Sequence, residues 1–262
     1  MTTTRRAIVV VAAISCLASG AAMEHSFEFS FEPKSFPMKA LPPIPSTGVQ
    51  LVLDDDTADG DFGVNSPNAQ QFMWLNQFTP PFTGVRLDEI WVLFPPSRTS
   101  NVSVGDQVEI LVYLDPDEDP TTGATLLRSI SETVQAADGN MFSVYTVTPP
   151  LEVSDPGDIL IGVVDRWVVS GVTGPTRPAA IDVTASQGRS WLAVWTGDPP
   201  PSPTLPADSV FSTVDVYQPG NWMIRAFGEG LNLAGIPTVS GIGLAVFVLL
   251  MCVAGVALLY RP

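Results

Sequence analysis

The chain has 262 residues, and its 27 acidic residues outnumber its 12 basic residues, which gives a net charge of −15 at pH 7. Arg5, Arg6 and Arg261 lie outside residues 24–229, so that stretch carries the other 9 basic residues against all 27 acidic ones, a net charge of −18. Such a surface repels nucleic acid and anionic lipid, and we therefore expect no nucleic-acid partner.

Residues 1–22 have the three-part layout of a secretory signal peptide. Arg5 and Arg6 precede the apolar run 7–17, and small residues follow at 18–22. Because a spanning helix needs roughly 20 apolar residues, this run is too short for a comfortable membrane anchor. We expect cleavage by signal peptidase after Ala21 or Ala22. The arginine pair also loosely fits a twin-arginine export signal, which leaves the export route open.

Residues 23–47 form a leader that is rich in phenylalanine and proline. Alternation within residues 26–32 puts Phe27, Phe29 and Phe31 on one face of a strand. The prolines that follow at 42, 43 and 45 favour a disordered segment instead. The leader is therefore expected to be either an edge strand or disordered.

Residues 48–228 carry the pattern of one all-β domain. Strands are predicted at 49–53, 71–78, 87–94, 107–114, 126–133, 142–147, 159–164, 180–183, 190–194 and 222–227. Turn signals such as Asp59-Gly60 and Asp138-Gly139 separate them, and no segment shows sustained helical periodicity. Many short strands favour a β-sandwich, jelly-roll-like in topology. The proline-rich stretch 199–207 predicts a stiff, extended loop.

Two acidic runs predict calcium sites. Asp115, Asp117 and Asp119 occupy positions 1, 3 and 5 of a loop that follows a predicted strand. This spacing can turn several oxygens toward one point, and Ca²⁺ takes about 6–8 oxygen ligands. Asp54 and Asp56, in a run that continues to residue 61, form a second candidate. The alternative in both cases is a solvated acidic turn, since neither run has the full EF-hand pattern.

The tryptophans predict either core packing or contact with sugars. Trp191 and Trp195 lie four residues apart and therefore share one face of a strand. Exposed indole rings stack on sugar rings, whereas indoles in a sandwich without disulfides usually pack in the core. All six tryptophans fall in the predicted domain: Trp74, Trp91, Trp167, Trp191, Trp195 and Trp222.

Catalytic residue types are scarce. The cysteines are Cys16 and Cys252, and the one histidine is His25. The predicted domain can therefore build no disulfide, no Ser-His-Asp triad and no zinc site ligated by histidine. A carboxylate pair could still hydrolyse glycosides, although no pair stands out. We predict a protein that is not an enzyme, and we keep a carboxylate-dependent glycoside hydrolase as the third hypothesis.

Residues 241–260 form an uncharged run of 20 residues that predicts a transmembrane helix. As a helix the run would be about 30 Å long, which matches the hydrocarbon core of a bilayer. Arg261 marks a cytoplasmic end, so the predicted domain lies outside the cytoplasm. A short linker, residues 229–235, joins the domain to this tail.

The residues before the span are Ile236, Pro237, Thr238, Val239 and Ser240. Together with the apolar span and the terminal arginine, they resemble the IPTL-CTERM sorting signal of Gram-negative bacteria, a relative of PEP-CTERM signals. The resemblance covers residues 236–262. It implies an anchor in the inner membrane through 241–260, an exosortase-type processing enzyme as a partner, and delivery to the cell surface or extracellular matrix.

The domain itself resembles unassigned β-sandwich modules of secreted bacterial proteins at residues 54–60, 74–78 and 220–226. This resemblance implies no activity. We therefore predict an exported cell-surface or matrix protein whose sandwich has a structural or adhesive role. The alternative is a module that binds carbohydrate, in particular the exopolysaccharide that accompanies such sorting systems.

Overall fold

The computed structural model describes residues 9–10, 28–36, 48–64, 70–82, 84–96, 100–169, 173–174 and 176–231. The predicted cleavage site, the sorting motif and the span 241–260 lie outside these residues. Within them, no helix is long and apolar enough to cross a membrane. The chain divides into two compact units, residues 1–231 and 232–262, and the fold described below is that of the first.

Strands dominate this unit, which confirms the predicted all-β class. Their bounds are β1 (Val9–Val10), β2 (Phe29–Phe36), β3 (Val49–Leu51), β4 (Ala58–Val64), β5 (Met73–Phe78), β6 (Val85–Leu93), β7 (Gln107–Asp115), β8 (Thr125–Thr133), β9 (Phe142–Val153), β10 (Asp158–Val164), β11 (Ala179–Asp182), β12 (Ser190–Val194), β13 (Val210–Thr213), β14 (Asn221–Trp222) and β15 (Ile224–Gly230). A short 3-10 helix, Val214–Val216, follows β13.

The strands form three sheets that pack as a sandwich. One layer is a six-stranded sheet in the order β13-β12-β5-β10-β7-β8. The other layer contains a four-stranded sheet, β3-β15-β6-β9, and a five-stranded sheet, β1-β2-β4-β11-β14. Met223 joins these two sheets, because its N–H donates to Ala180 O and its carbonyl accepts from Leu93 N–H, both at 3.0 Å. The jelly-roll topology stays a prediction.

Alternation along each strand divides its side chains between two faces. In β7, Ile110 and Val112 enter the main core between the layers, whereas Leu111 and Tyr113 point to the opposite face of the six-stranded sheet. That outer face is also apolar, since the loop 199–207 covers part of it through Leu205. Covered faces on both sides explain why β7 and β10 are nearly continuous hydrophobic runs.

The leader and the missed strands show where local signals mislead. Phe29–Phe36, within the predicted leader, is strand β2 of the five-stranded sheet, whereas residues 23–27 and 37–47 lie outside the described residues. Ala58–Val64 is strand β4, although Asp59-Gly60 predicts a turn there. Gly60 is required at that point, because a Cβ on it would lie 2.2 Å from the Phe31 ring. Close packing of β2 on β4 therefore outweighs the turn preference.

The first strand lies inside the predicted signal peptide. Val9–Val10 pairs antiparallel with Ser30 and Phe29 of β2. If signal peptidase cuts after residue 21 or 22, this pairing belongs to the precursor and leaves β2 as the edge of the mature sheet.

The strand registers bring one group of loops to the same end of the sandwich. Val85 pairs with Gly230 at the end of β15, and Asp158 pairs with Asp115 at the end of β7. The short connection 79–84 links β5 to β6 at this same end. The acidic loop (residues 115–119) therefore lies at the end from which β15 leads toward the tail.

Candidate functional site: the acidic loop and the Trp191 face

Asp115 and Asp158 face each other across two paired strands. Asp115 ends β7 and Asp158 begins β10, and their Cα positions are directly opposite in the ladder. Both residues are buried, at 0% and 1% exposed. Like charges directly opposite each other destabilise a strand pair, so this arrangement needs compensation.

Asp158 has that compensation from three neutral or cationic donors. Its Oδ2 accepts from Gln77 Nε2 at 2.6 Å and from Arg189 Nη2 at 2.5 Å. Its Oδ1 accepts from Thr79 Oγ1 at 2.7 Å. The ion pair with Arg189 and the hydrogen bonds from Gln77 and Thr79 satisfy both carboxylate oxygens.

Asp115 has no such donors. Neither Oδ atom accepts a hydrogen bond, although both are inaccessible to solvent. Burial raises the pKa of Asp115 to about 7; the side-chain hydrogen bond that it shares with Asp117 and the charges of Asp117, Asp158 and Asp119 add to the effect. An ionised Asp115 is thus the most poorly stabilised charge at this end of the sandwich.

The remainder of the acidic loop is exposed and fixed by threonines. Thr122 Oγ1 donates to Asp117 Oδ2 at 2.7 Å and lowers the pKa of that carboxyl. Thr121 Oγ1 donates to Asp119 Oδ1 at 2.6 Å. Of the three predicted ligands, Asp115 and Asp117 come together, whereas Asp119 is turned to Thr121. No three carboxylates within the described ranges are close enough to form a ready-made metal site.

The second predicted calcium site has a different partner. Arg225 of β15 donates from Nε to Asp54 Oδ2 at 3.1 Å and from Nη2 to Asp56 Oδ1 at 2.7 Å. Its guanidinium lies 4.7 Å from the centre of the Phe142 ring and is 1% exposed. One guanidinium therefore pairs with both Asp54 and Asp56, and in the structure these carboxylates belong to an ion pair with Arg225.

The two tryptophans of β12 share one face of the strand, but their surroundings differ. Trp195 is buried at 7% exposure in the apolar cluster under the loop 199–207. Trp191 is only partly buried and stacks on Phe211, with ring centroids 5.2 Å apart and an interplanar angle of 17°. Of this pair, Trp191 alone is placed to meet a ligand.

Gln77 connects the Trp191 face (Trp191 of β12 with Phe211 of β13) to the acidic loop. Its Oε1 accepts from the indole N–H of Trp191 at 3.1 Å, and its Nε2 donates to the carbonyl of Glu118 at 3.0 Å. Gln77, Asp158 and Arg189 carry this network, and the sequence analysis missed all three. They come from separate strands and loops, so no local pattern marks them.

A second polar group fixes the proline-rich loop and, with Pro201, lines a cavity of about 480 Å³. Arg166 pairs with the buried Glu109 and donates to the carbonyls of Pro199 and Pro200 at 2.5 and 2.7 Å. Glu109 also accepts from Ser202 N–H at 2.9 Å. These bonds hold the loop 199–207 against the outer face of the six-stranded sheet.

Comparison with known proteins adds little. The chain matches no protein-family model, and no curated protein matches it. Among solved structures, one match is the crystal structure of the cysteine protease and lectin-like domains of Cwp84, a surface layer associated protein of Clostridium difficile. The identity is 15%, the TM-score is 0.46, and the match covers 71% of this chain and 37% of that one. A likeness at this TM-score supports no conclusion about function.

Proposed function

We propose that the chain is an exported cell-surface or matrix module with a structural or adhesive role. The observation that supports this most is the position of β15, the strand that leads to the predicted tail. β15 is an interior strand, paired antiparallel with β3 on one side and with β6 on the other. Any pull on the tail is therefore applied to a strand that pairs with β6 over its whole length and with β3 at residues 226–228.

The direction of such a pull decides how strongly the domain resists it. The tail leaves from the Gly230 end of β15. The turn around Asp138 lies at the opposite end of the sheet, because it precedes β9, and Phe142 at the start of β9 pairs with Leu93 at the end of β6. A partner bound at the far end would load β15 along its axis, so its ladder hydrogen bonds would have to break together. A partner at the Gly230 end would break them one after another.

Single-molecule pulling on the purified chain tests this proposal. One handle is attached at the C-terminus and the other at an introduced cysteine, either Asp138→Cys at the far end or Asp155→Cys in the loop 154–157 at the near end. Both variants carry Cys252→Ser, and Cys16 falls within the predicted signal peptide. We expect a clearly higher rupture force with the far handle. Equal forces in the two geometries would contradict a force-resisting role.

Export and sorting complete the proposal. Signal peptidase removes residues 1–22, the span 241–260 holds the domain at the inner membrane, and an exosortase-type enzyme processes the tail at 236–240. Delivery to the cell surface or matrix follows from that processing. The support for these steps is the sequence pattern of the two ends, since both place their arginines on the cytoplasmic side.

A second candidate function is binding of exopolysaccharide at the Trp191 face. The partly exposed stack of Trp191 on Phe211 favours it, because an aromatic face beside polar groups is what sugar rings contact. Glycan-array binding that is lost in Trp191→Ala but kept in Phe82→Ala, which removes an aromatic ring exposed at 60%, would support it. The hydrolase hypothesis stays a prediction.

A further inference from the structure

A cavity of about 480 Å³ lies between the proline-rich loop and the outer face of the six-stranded sheet, at the Gln107 end of β7. Its volume is within the range of about 300–1,000 Å³ that small-molecule sites occupy. The residues that line it come from β7, from β8 and from the proline-rich loop, together with Arg166. The cavity is therefore separate from both the acidic loop and the Trp191 face.

Strand pairing builds the floor of the cavity. Gln107 pairs with Thr133 in the β7–β8 ladder. Two positions along, Glu109 pairs with Ser131. Because side chains alternate along a strand and directly opposite partners share a face, these four side chains lie on the same face as Leu111, which is the outer face. β8 is the last strand of the sheet, and Ser131 and Thr133 are exposed, so a ligand can enter from this edge.

A buried ion pair holds the wall of the cavity in place. Arg166 pairs with Glu109, and its guanidinium also donates to the carbonyl of Pro200 at 2.7 Å. Glu109 in turn accepts from Ser202 N–H at 2.9 Å. The peptide groups on both sides of Pro201 are therefore fixed, and Ser202 is held at a φ of +52°, which few residues other than glycine adopt. A wall that is fixed before a ligand arrives lowers the entropy cost of binding.

The charged groups of this wall have no capacity left for a ligand. The guanidinium of Arg166 has five N–H groups, and they make five hydrogen bonds to protein oxygens. Both oxygens of Glu109 accept from protein donors. Among the described residues that line the cavity, Arg166 is the only basic one. An anionic ligand would therefore meet no free cation, and Glu132, which also lines the cavity, would repel it.

The groups that remain for a ligand are neutral and polar. The amide of Gln107 and the hydroxyls of Ser131 and Thr133 make no hydrogen bond to the described part of the chain, and all three residues are exposed. Amides and hydroxyls both donate and accept, which complements the hydroxyl groups of a sugar. The exposed ring of Pro201 adds an apolar surface for the C–H groups of a sugar ring.

We propose that this cavity, the β7–β8 groove, binds a neutral saccharide unit of an extracellular polysaccharide. The groove is formed by Gln107, Ser131, Thr133 and Pro201. The three polar side chains hydrogen-bond the sugar hydroxyls, and the proline ring contacts the sugar ring. This partner would serve the adhesive role proposed above, and only the origin of the sugar rests on that role.

Binding of the purified full chain to a glycan array tests the groove. The array carries neutral, uronate and amino-sugar oligosaccharides, and the chain is kept in a detergent without a sugar headgroup. We expect binding to neutral oligosaccharides that does not weaken with added NaCl, since the ligand forms no ion pair. Isothermal titration calorimetry with the neutral oligosaccharide that binds most strongly on the array then gives the affinity of each variant.

Three variants separate the groove from the rest of the surface. Ser131→Tyr places a ring in the groove and should weaken this binding at least about tenfold, because the ring clashes with the sugar. Gln107→Leu keeps the bulk of the side chain but removes the amide, and should weaken binding about fivefold, the effect of one ordinary hydrogen bond. Thr125→Tyr introduces the same ring at an exposed position of β8 outside the groove and should bind like the wild type. Equal melting temperatures of the two tyrosine variants would exclude unfolding as the cause, and Gln107→Leu decides if they differ.

The absence of neutral-sugar binding by the wild type, or binding confined to uronate or amino-sugar oligosaccharides, would overturn the proposal. Equal affinities of Ser131→Tyr and Thr125→Tyr, or a Gln107→Leu variant that binds like the wild type, would also overturn it. Neutral-sugar binding that is lost in Trp191→Ala and kept in Ser131→Tyr would place the sugar on the Trp191 face instead. The pulling experiment tests the structural or adhesive role without any sugar, so failure of the groove and failure of that role can be told apart.

Discussion

Breaking the ion pair between Arg225 and Asp54 should destabilise the domain more than any other single change of a charged residue considered above. The two side chains are 1% and 0% exposed, so removal of the guanidinium leaves a carboxylate buried and unpaired. Loss of one partner of a buried pair costs about 3–5 kcal/mol. Burial already raises the pKa of Asp54 despite Arg225, which shows how little other stabilisation that charge has.

The variant Arg225→Met therefore has a predicted loss of about 4 kcal/mol in the free energy of unfolding. With a urea m-value of about 2 kcal/mol/M, the midpoint of unfolding should fall by about 2 M, which tryptophan fluorescence will report. The loss should shrink as the pH falls, because protonation of Asp54 removes the unpaired charge. Asp54→Leu combined with Arg225→Met should recover most of the stability, since an apolar pair avoids the desolvation cost.

Arg86→Met is the matched control for this prediction. Arg86 pairs with Asp88 and Glu229 on the neighbouring strand, but its side chain is 35% exposed. Its loss should cost clearly less stability than the loss of Arg225, as for other exposed pairs. If Arg225→Met and Arg86→Met lose equal stability, or if the double variant is no better than Arg225→Met, the argument from buried charge is refuted.

Three further predictions follow from the same contacts. In chelator, the melting temperature of the wild type should fall as the pH rises from 3.8 toward 7, because the folded state favours protonated Asp115. In Asp115→Asn, the fall of melting temperature with pH should be smaller by the contribution of this residue. Trp195→Ala should cost about 3–5 kcal/mol in urea unfolding and Trp191→Ala clearly less, since only Trp195 is fully packed. Asn76→Ala should cost about 3 kcal/mol, because the Asn76 amide donates to two buried carbonyls and accepts from the Ser190 hydroxyl; a cost below about 1 kcal/mol would show that water replaces it.

Much of the strand pattern could be predicted because it depends on local alternation. The predicted strand 107–114 is Gln107–Asp115 in the structure, and 190–194 is Ser190–Val194. The turn at Asp138-Gly139 is also present, with Gly139 at φ +71° and the Asp138 carboxylate accepting from two N–H groups of the turn. These features need only the residues within a few positions of themselves.

The candidate site could be predicted only in part, because its partners come from distant segments. The spacing of Asp115 and Asp117 indicated a cation loop, but it could not show that Asp115 belongs to β7 and faces Asp158 across the ladder. Asp54 and Asp56 show the same limit. Their spacing also suggested calcium, whereas the side chain that pairs with both is Arg225, 171 residues from Asp54 in sequence. Strand pairing decides which carboxylates have a basic partner, and this pairing between distant segments cannot be read from a single sequence.

The most direct test of the central proposal, an exported surface module, is to treat intact native cells with an external protease and to read the termini of the protein by mass spectrometry. The proposal predicts a mature N-terminus near Met23 and a domain that the protease reaches without cell lysis. It also predicts peptides that end near residues 236–240 in the fraction that exosortase-type processing has released. An N-terminus at Met1 or Thr2 in envelope material, with the domain cut only after lysis, would contradict the proposal.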